Sequence, residues 1–211
     1  MNRLIIIGAS GHGKVVADIA RLNGYNDIVF LDDDINSTHC GIWPVIGRSD
    51  DAPEGDLFVA IGNAKTRKRL MERYAGKTFP KLIHPSAVIA QDAEIGSGTV
   101  IMAGAVINPG TKIGSGCIVN TSASVDHDCI VEDYCHIAVG AHLCGTVIVG
   151  CGTWVGAGSV ISNNVTVCGG CMIGAGAVVI HDISQIGTYV GVPAKMISKP
   201  KLTGGGYSPP Q

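Results

Sequence analysis

The fold is decided by residues 89–179, and a representative part of them, residues 101–119, reads IMAGAVINPGTKIGSGCIV. Leu, Ile or Val occupies every sixth position from Ile89 to Val179, sixteen times in succession. Four residues after each of them, from Ala93 to Ala177, stands Ala, Cys, Ser, Thr or Val. A period of six fits neither an α-helix nor an alternating strand. It predicts short strands joined by tight corners and wound into a prism, with the large aliphatic side chains inside.

Glycine and cysteine occupy particular places in these hexads. Five glycines follow directly after the aliphatic residue, where we expect the chain to turn a corner and a β-carbon to cause strain. Four of the eight cysteines occupy the small inward position, where a free thiol acts as a small hydrophobe. The chain lacks the two CxxC pairs of a zinc site, so we expect no metal. The glycines are Gly96, Gly114, Gly150, Gly156 and Gly174, and the cysteines are Cys117, Cys129, Cys135 and Cys171.

Composition excludes several classes of protein. The 211 residues are 46% hydrophobic and 15% charged, which excludes wholesale disorder. The net charge of −2, without a dense basic run, argues against a nucleic-acid-binding protein. No apolar stretch is long enough to span a membrane, and Leu4–Ile7 is too short for the core of a signal peptide. We therefore expect a cytoplasmic location with reduced thiols.

The first eighty residues have a different pattern. Strands and helices alternate at lengths that predict a small parallel α/β unit. The first strand ends in the glycine-rich turn GASGHGK, and the second ends in three aspartates. The expected strands are Arg3–Ile7, Ile28–Leu31 and Leu57–Ile61, and the expected helices are Val15–Leu22 and Ala64–Tyr74.

This unit carries a candidate nucleotide site. Its glycines are spaced GxxGxG rather than GxGxxG, but a glycine turn that opens a helix can still offer backbone N–H groups to a phosphate. Asp32 and Asp33 after the second strand suit a sugar or base N–H donor. The alternatives are a ligand-free turn and a solvated acidic loop. Because all these segments lie at the carboxyl ends of parallel strands, the pattern favours a nucleotide site.

His127 is the candidate catalytic residue. It follows an inward aliphatic residue by two positions, so we expect it to face outward at a corner between Asp126 and Asp128. A carboxylate bound to one ring nitrogen fixes the tautomer and raises the basicity of the other nitrogen, as a general base requires. Which aspartate does so is left open, and the alternative is a surface histidine in an acidic turn. His136 and His142, one hexad apart, are expected to stack along an edge or to be exposed.

The hexads resemble those of the hexapeptide-repeat acyltransferases, which implies a left-handed parallel β-helix over about residues 86–195. The whole chain resembles the nucleotide-sugar acetyltransferases of the bacillosamine and sialic acid pathways (NeuD/PglD-like). That family joins a small Rossmann-like N-terminal domain to such a β-helix. The resemblance implies a nucleotide-sugar-binding domain at residues 1–84, an acetyltransferase domain at 85–198 and a flexible tail at 199–211. The matching segments are GASGHG (8–13), FLDD (30–33), AIGN (60–63) with Arg67, Asn120-Thr121, VDHDC (125–129), His136, VGAH (139–142) and GVPAK (191–195).

The resemblance also implies the activity and the site. Its enzymes move acetyl from acetyl-CoA to the C4 amine of a UDP-linked 4-amino-4,6-dideoxy sugar, without a metal, in glycan biosynthesis. His127 matches the general base and Asp128 its acidic partner. The acetyl-CoA groove is matched by His136, Gly145, Ala157 and Ala175. The nucleotide pocket is matched by Ser10, Gly11, His12, Asp32, Asp33, Ile61 and Gly62.

The family further implies a homotrimer with acetyl-CoA between adjacent β-helices and no nucleic-acid partner. Several other readings of the sequence stay open. They are O-acetylation of a sialic acid, N-acetylation of another nucleotide amino sugar, a metal-dependent hydratase of the γ-carbonic anhydrase type, and a noncatalytic β-helix scaffold.

Overall fold

The computed structural model describes residues 3–198, which form an α/β domain followed by a three-sided parallel β-helix. The predicted fold class, an α/β unit joined to a left-handed β-helix, is confirmed. The division at residues 84 and 85 stays a prediction; Leu82–Ile83 already pairs with the β-helix. The tail predicted at residues 199–211 lies outside the described residues.

The N-terminal domain is a five-stranded sheet with a helix on each face. The strand order is β3-β4-β2-β1-β5, and only the β3–β4 pair is antiparallel. The sheet is buried on both sides because β1, β2 and β5 are almost wholly apolar. The elements are β1 Arg3–Ile7, α1 Gly11–Leu22, β2 Asp27–Leu31, β3 His39–Cys40, β4 Trp43–Gly47, β5 Asp56–Val59 and α2 Ala64–Arg73.

Three details differ from the sequence prediction. Helix α1 begins at Gly11 rather than Val15, because Lys14 N–H already donates to the Ser10 carbonyl at 3.1 Å. The glycine turn thus forms the first helical turn, and a Cβ at Gly13 would collide with the Gly8 carbonyl. Strand β5 ends at Val59, two residues early. Strands β3 and β4 were not expected; β4 contains Pro44 and lies near the sheet margin.

The β-helix consists mainly of two-residue strands stacked in three sheets. From Leu82–Ile83 to Val178–Val179 each strand pairs in parallel with the strand eighteen residues away, so three hexads make one coil. One sheet contains β6, β9, β12, β15, β18, β21, β23 and β24, the second β7, β10, β13, β16, β19 and β22, and the third β8, β11, β14, β17 and β20. The first sheet ends with Thr188–Val190, which pairs in parallel with Met172–Ile173, and Lys195–Ser198, which is antiparallel. The strands are β6 Leu82–Ile83, β7 Val88–Ile89, β8 Glu94–Ile95, β9 Val100–Ile101, β10 Val106–Ile107, β11 Lys112–Ile113, β12 Ile118–Val119, β13 Ser124–Val125, β14 Ile130–Val131, β15 His136–Ile137, β16 His142–Leu143, β17 Ile148–Val149, β18 Trp154–Val155, β19 Val160–Ile161, β20 Thr166–Val167, β21 Met172–Ile173, β22 Val178–Val179, β23 Thr188–Val190 and β24 Lys195–Ser198.

The interior matches the hexad prediction. The aliphatic residues from Ile101 to Val179 are buried, and Ile89 and Ile95 pack against them at the open end of the prism. The four cysteines in the small position are buried, and all eight cysteines of the chain are free thiols.

The strain that a β-carbon would cause at the five glycines comes from contact with the next coil. None of them has a positive φ; a Cβ at Gly150 or Gly156 would instead strike the backbone of the next coil. The left-handed corner residues stand two positions further along, for example Gly98, Gly152 and the non-glycine Asp128 at φ +57°.

Three edges run along the prism, each joining two sheets. The His127 edge contains Pro109, His127 and Gly145, and the Ala157 edge contains Thr121, Val139, Ala157 and Ala175. The Tyr134 edge contains Ser115–Gly116, Asp133–Tyr134 and Cys151–Gly152. The N-terminal domain packs on the first sheet, whose Val100, Met102 and Ile118 belong to its core, and on the Tyr134 edge. The His127 edge is therefore opposite the sheet that the N-terminal domain covers.

Candidate active site

His127 lies at a corner between β13 and β14 and projects into solvent. Its side chain is 54% exposed, and its Nδ1 lies 2.8 Å from Oδ2 of Asp128. Because an ionised carboxylate only accepts hydrogen bonds, Nδ1 carries the proton and Nε2 keeps its lone pair. The hydrogen bond to Asp128 raises the pKa of His127 above its ordinary value. The corner thus presents a basic ring nitrogen of fixed tautomer.

The two flanking aspartates have different contacts. Asp126 Oδ1 accepts hydrogen bonds from Asn108 Nδ2 and from the His127 backbone N–H, both at 2.8 Å. Its carboxylate therefore braces the backbone of the corner, and these bonds lower its pKa. Asp128 alone bonds the imidazole, which answers the question that the sequence left open.

Gly145 lies on the same edge, one coil beyond His127. A Cβ at this position would lie 2.5 Å from Nε2 of His127, so only glycine lets the ring lie against the backbone. Within residues 3–198 the Gly145 N–H donates no hydrogen bond, whereas its carbonyl accepts one from Asn164. The corner therefore offers a backbone donor beside a basic nitrogen.

His136 is buried at the domain junction, and the expected stacking with His142 was wrong. His136 pairs with Ile118 and Trp154 in the first sheet. His142 pairs with Ser124 in the second sheet, where its Nδ1 lies 2.8 Å from Ser124 Oγ. The two histidines are one hexad apart, and one hexad moves the chain to another side of the prism. His136 is 8% exposed because the N-terminal domain covers its sheet.

Neighbouring groups fix the tautomer of His136. Asn120 Oδ1 accepts from Thr121 N–H at 2.8 Å, so its amide nitrogen faces His136 Nε2 at 3.2 Å and donates to it. Nδ1 then carries the proton, and among the described residues it has no partner. Burial, with the positive charge of nearby groups, lowers the pKa of His136 to about 3.

Ala157 and Ala175 lie on a different edge of the prism from His127. Both are exposed on the Ala157 edge, one coil apart, with Gly176 N–H donating to the Ala157 carbonyl at 2.9 Å. The four residues assigned to acetyl-CoA therefore occupy three places in one chain: the His127 edge, the Ala157 edge and the junction.

Of the two acids after β2, Asp32 holds the glycine turn and Asp33 holds Ser49, which follows β4. Asp32 Oδ2 accepts from Ala9 N–H at 2.6 Å, and Asp33 accepts from the backbone N–H and hydroxyl of Ser49 at 3.0 and 2.9 Å. The bonds from Ser49 lower the pKa of Asp33. Ser10, at the N-terminus of α1, is exposed and makes no side-chain capping bond, so its hydroxyl does not occupy the first N–H groups of α1.

The remaining pocket residues meet the β-helix. The carbonyls of Ile61 and Gly62 both accept from Arg67, and Gly62 lies against the ring of Trp154. His12 Nε2 is buried without a partner among the described residues, and burial lowers the pKa of His12 to about 4. The pocket residues Ser10, Gly11, His12, Asp32, Asp33, Ile61 and Gly62 all lie at the carboxyl ends of β1, β2 and β5, as predicted from the sequence.

Sequence reasoning missed Trp154, whose ring lies 4.1 Å from that of His136. An aromatic residue beside an inward aliphatic was the only signal, and exposed β-helix faces carry such residues too. In the described part of the chain, no group of three or more His, Cys, Asp or Glu side chains could hold a metal ion. None of its helices is long and apolar enough to cross a membrane.

Comparison with known proteins gives concordant matches. Residues 3–74 match the family model of the PglD N-terminal domain. A curated UDP-N-acetylbacillosamine N-acetyltransferase from Bacillus subtilis is 36% identical in an alignment 115 residues long that covers 49% of this chain. That match spans about half (52%) of the curated relative.

Several solved structures match nearly the whole chain, including these two ligand complexes. The acetyltransferase domain of PglB from Neisseria gonorrhoeae, in complex with acetyl coenzyme A, is 43% identical with a TM-score of 0.89, over 93% of this chain and 100% of that one. PerB from Caulobacter crescentus, in complex with CoA and GDP-perosamine, is 34% identical with a TM-score of 0.88, over 94% of this chain and 98% of that one.

Proposed function

Because the chain belongs to the PglD-like family of nucleotide-sugar acetyltransferases, we propose that it transfers acetyl from acetyl-CoA to an amine of a nucleotide-linked sugar. The observation that carries the proposal is the His127–Asp128 pair, with Nδ1 bound at 2.8 Å and Nε2 lying beside Gly145. A basic nitrogen and a backbone donor at one corner are the groups that amide formation from a thioester needs.

The proposed reaction uses three groups of the His127 edge. His127 Nε2 takes a proton from the sugar amine as the amine nitrogen bonds to the thioester carbonyl carbon. The Gly145 N–H donates to the oxygen that becomes negative in the tetrahedral intermediate. The C–S bond then breaks, and the proton on His127 passes to the leaving thiolate. Asp128 stabilises the imidazolium between these two steps, because its carboxylate stays bound to Nδ1.

The sugar substrate that we propose is a UDP-4-amino-4,6-dideoxy-N-acetyl sugar, acetylated at its C4 amine to give UDP-N,N′-diacetylbacillosamine. The name of the Bacillus subtilis relative supports it. The open N-terminus of α1 and the glycine turn suit a diphosphate. The proposed contacts come from Ser10, Gly11, His12, Asp32, Asp33, Ile61 and Gly62.

A homotrimer completes the site in this proposal. Within one chain the His127 edge is opposite the sheet that carries the N-terminal domain, so His127 cannot reach its own nucleotide pocket. A neighbouring copy would bring its His127 edge to that pocket. Acetyl-CoA would then lie between chains, contacting Gly145 on one edge and His136, Ala157 and Ala175 elsewhere. We also propose a cytoplasmic location, in which the thiols of the prism interior stay reduced.

A GDP-linked amino sugar is the second candidate acceptor. PerB from Caulobacter crescentus, 34% identical over 94% of this chain, was solved with GDP-perosamine. The two candidates share the C4 amine and differ in the nucleotide and in the N-acetyl group of the sugar, so they place the same demands on His127.

The test is an acceptor panel with thiol release and product mass as readouts. The panel holds acetyl-CoA with the UDP-4-amino sugar, GDP-perosamine, a free amino sugar and a sialic acid. We expect stoichiometric CoA release and a mass gain of one acetyl group with a nucleotide-linked amine only. Equal transfer to the free amino sugar, or transfer to sialic acid alone, would refute the proposal.

A further inference from the structure

Arg67 is a fully buried cation at the junction of the two domains. It is 1% exposed, and its guanidinium donates to four backbone carbonyls. Nε donates to Gly116 at 2.6 Å and Nη2 to Tyr134 at 2.6 Å, while Nη1 donates to Ile61 at 2.7 Å and Gly62 at 2.9 Å. Among residues 3–198 it forms no ion pair with a carboxylate.

The four acceptors belong to both domains. Gly116 and Tyr134 are eighteen residues apart, so they occupy the same corner of successive coils, with φ near +60° in both. Ile61 and Gly62 form the turn at the carboxyl end of β5, in the candidate nucleotide pocket. One planar group thus fixes the separation between that turn and two coils of the Tyr134 edge.

The Ile61–Gly62 turn is linked through Trp154 to His136 at the domain junction. Gly62 packs on Trp154, whose ring lies 4.1 Å from that of His136, and His136 accepts a hydrogen bond from Asn120. A shift of the turn would therefore move the packing surface of Trp154 and the orientation of His136.

Only arginine can make these contacts. Burial lowers the pKa of Arg67 to about 10, so the group stays charged at neutral pH. Its planar guanidinium donates from three nitrogens to four carbonyls, two in each domain. A lysine ammonium has three donors on one nitrogen and could not reach all four acceptors. A buried cation bound only by carbonyls is costly to desolvate, which indicates a positional role rather than a simple gain in stability.

We propose that Arg67 is a positioning residue that holds the nucleotide-sugar pocket at a fixed place on the β-helix. This inference rests on the proposed function, in which the pocket must meet the His127 edge of a neighbouring copy. A displacement of about 1 Å between reacting groups can lower a rate by about 10²-fold. Arg67 would act through the Ile61–Gly62 turn without touching the reacting atoms.

The test compares Arg67→Met and Arg67→Lys with the matched control Lys65→Met, which removes an exposed cation from the same helix. Calorimetric titration with acetyl-CoA counts the intact binding sites in each variant, and turnover is expressed per intact site. For Arg67→Met we expect wild-type stoichiometry, a kcat per site lower by about 10²-fold and a raised KM for the nucleotide sugar. Arg67→Lys should lie between Arg67→Met and wild type, and Lys65→Met should equal wild type.

Two results would overturn the inference. One is a kcat per site within about threefold of wild type in both Arg67 variants. The other is a loss of binding stoichiometry that parallels the loss of turnover in both, which would make Arg67 a residue needed only for folding. Arg67→Lys decides the matter if Arg67→Met does not fold.

A second readout does not depend on the reaction. In a Trp43→Phe background, Trp154 is the remaining tryptophan. We expect Arg67→Met to shift its emission to longer wavelength, because the turn no longer covers the ring. If the wild-type enzyme acetylates no nucleotide sugar, the proposed function fails, and this shift alone decides for or against a role of Arg67 in fixing the turn.

Discussion

Acidification should destabilise the protein through His12 and His136. Burial lowers the pKa of His12 to about 4 and that of His136 to about 3, below the ordinary value of 6.5 that each ring has in the unfolded chain. At a pH between the folded-state pKa values and 6.5, the unfolded state binds more protons than the folded state. Stability that is present above about pH 6.5 is therefore lost as the pH falls toward the folded-state values.

The size of the effect follows from these pKa values. At about pH 5, protonation of each ring in the unfolded chain lowers the free energy of unfolding by about 2 kcal/mol relative to neutral pH. The two rings together predict a loss of about 4 kcal/mol between about pH 7.5 and pH 5. Arg67 lies near both rings and keeps its charge over this range, so it does not alter the sign.

The assay is urea unfolding followed by circular dichroism at several pH values. We expect His12→Gln and His136→Gln each to remove about half of the pH-dependent loss, and the double variant to remove most of it. His181→Gln, at an exposed position, is the control and should keep the wild-type pH dependence. Identical pH dependence in the wild type and the double variant would refute the argument that both rings are buried in neutral form.

Three further predictions concern His127, its surroundings and the prism interior. Asp128→Asn replaces the ionised acceptor of His127 Nδ1–H with a neutral amide that stabilises the imidazolium less, so the acidic limb of the pH–rate profile should move to lower pH; an unmoved limb would show that the carboxylate does not control the base. Gly145→Ala should lower kcat without lowering thermal stability, because its Cβ meets the catalytic ring; unchanged kcat would exclude their contact. Ile137→Ala should lower the free energy of unfolding, measured with urea, by about 2–5 kcal/mol. A loss below about 1 kcal/mol would mean that the surrounding core relaxes to fill the cavity.

The fold could be predicted because six-residue periodicity acts over the whole repeat. Each aliphatic residue from Ile101 to Val179 points inward for the same steric reason, so no single exception could hide the pattern. The outward placement of His127 followed from the same register. The residues around His127 did not decide between Asp126 and Asp128, since that choice depends on Asn108, one coil away, and the family resemblance alone named Asp128 as the partner.

The contacts at the domain junction could not be predicted from the sequence, for a physical reason. Burial of His136 depends on which of three sides the N-terminal domain covers, and no local pattern encodes that choice. Arg67 stood in a recognisable segment, but two of its four acceptors, Gly116 and Tyr134, lie 49 and 67 residues away along the chain. The separation of Ala157 and Ala175 from His127 follows from three hexads per coil, because Ala157 stands five hexads after His127 and therefore on another edge of the prism.

The most direct test of the central claim is the rate of acetyl transfer by His127→Ala. Acetyl-CoA and the preferred nucleotide amino sugar are the substrates, and the acetyl-CoA dissociation constant is measured alongside. We predict a fall in kcat of about 10²–10⁴-fold with acetyl-CoA binding retained. A variant that turns over at nearly the wild-type rate would contradict the assignment of His127 as the base, and with it this account of the site.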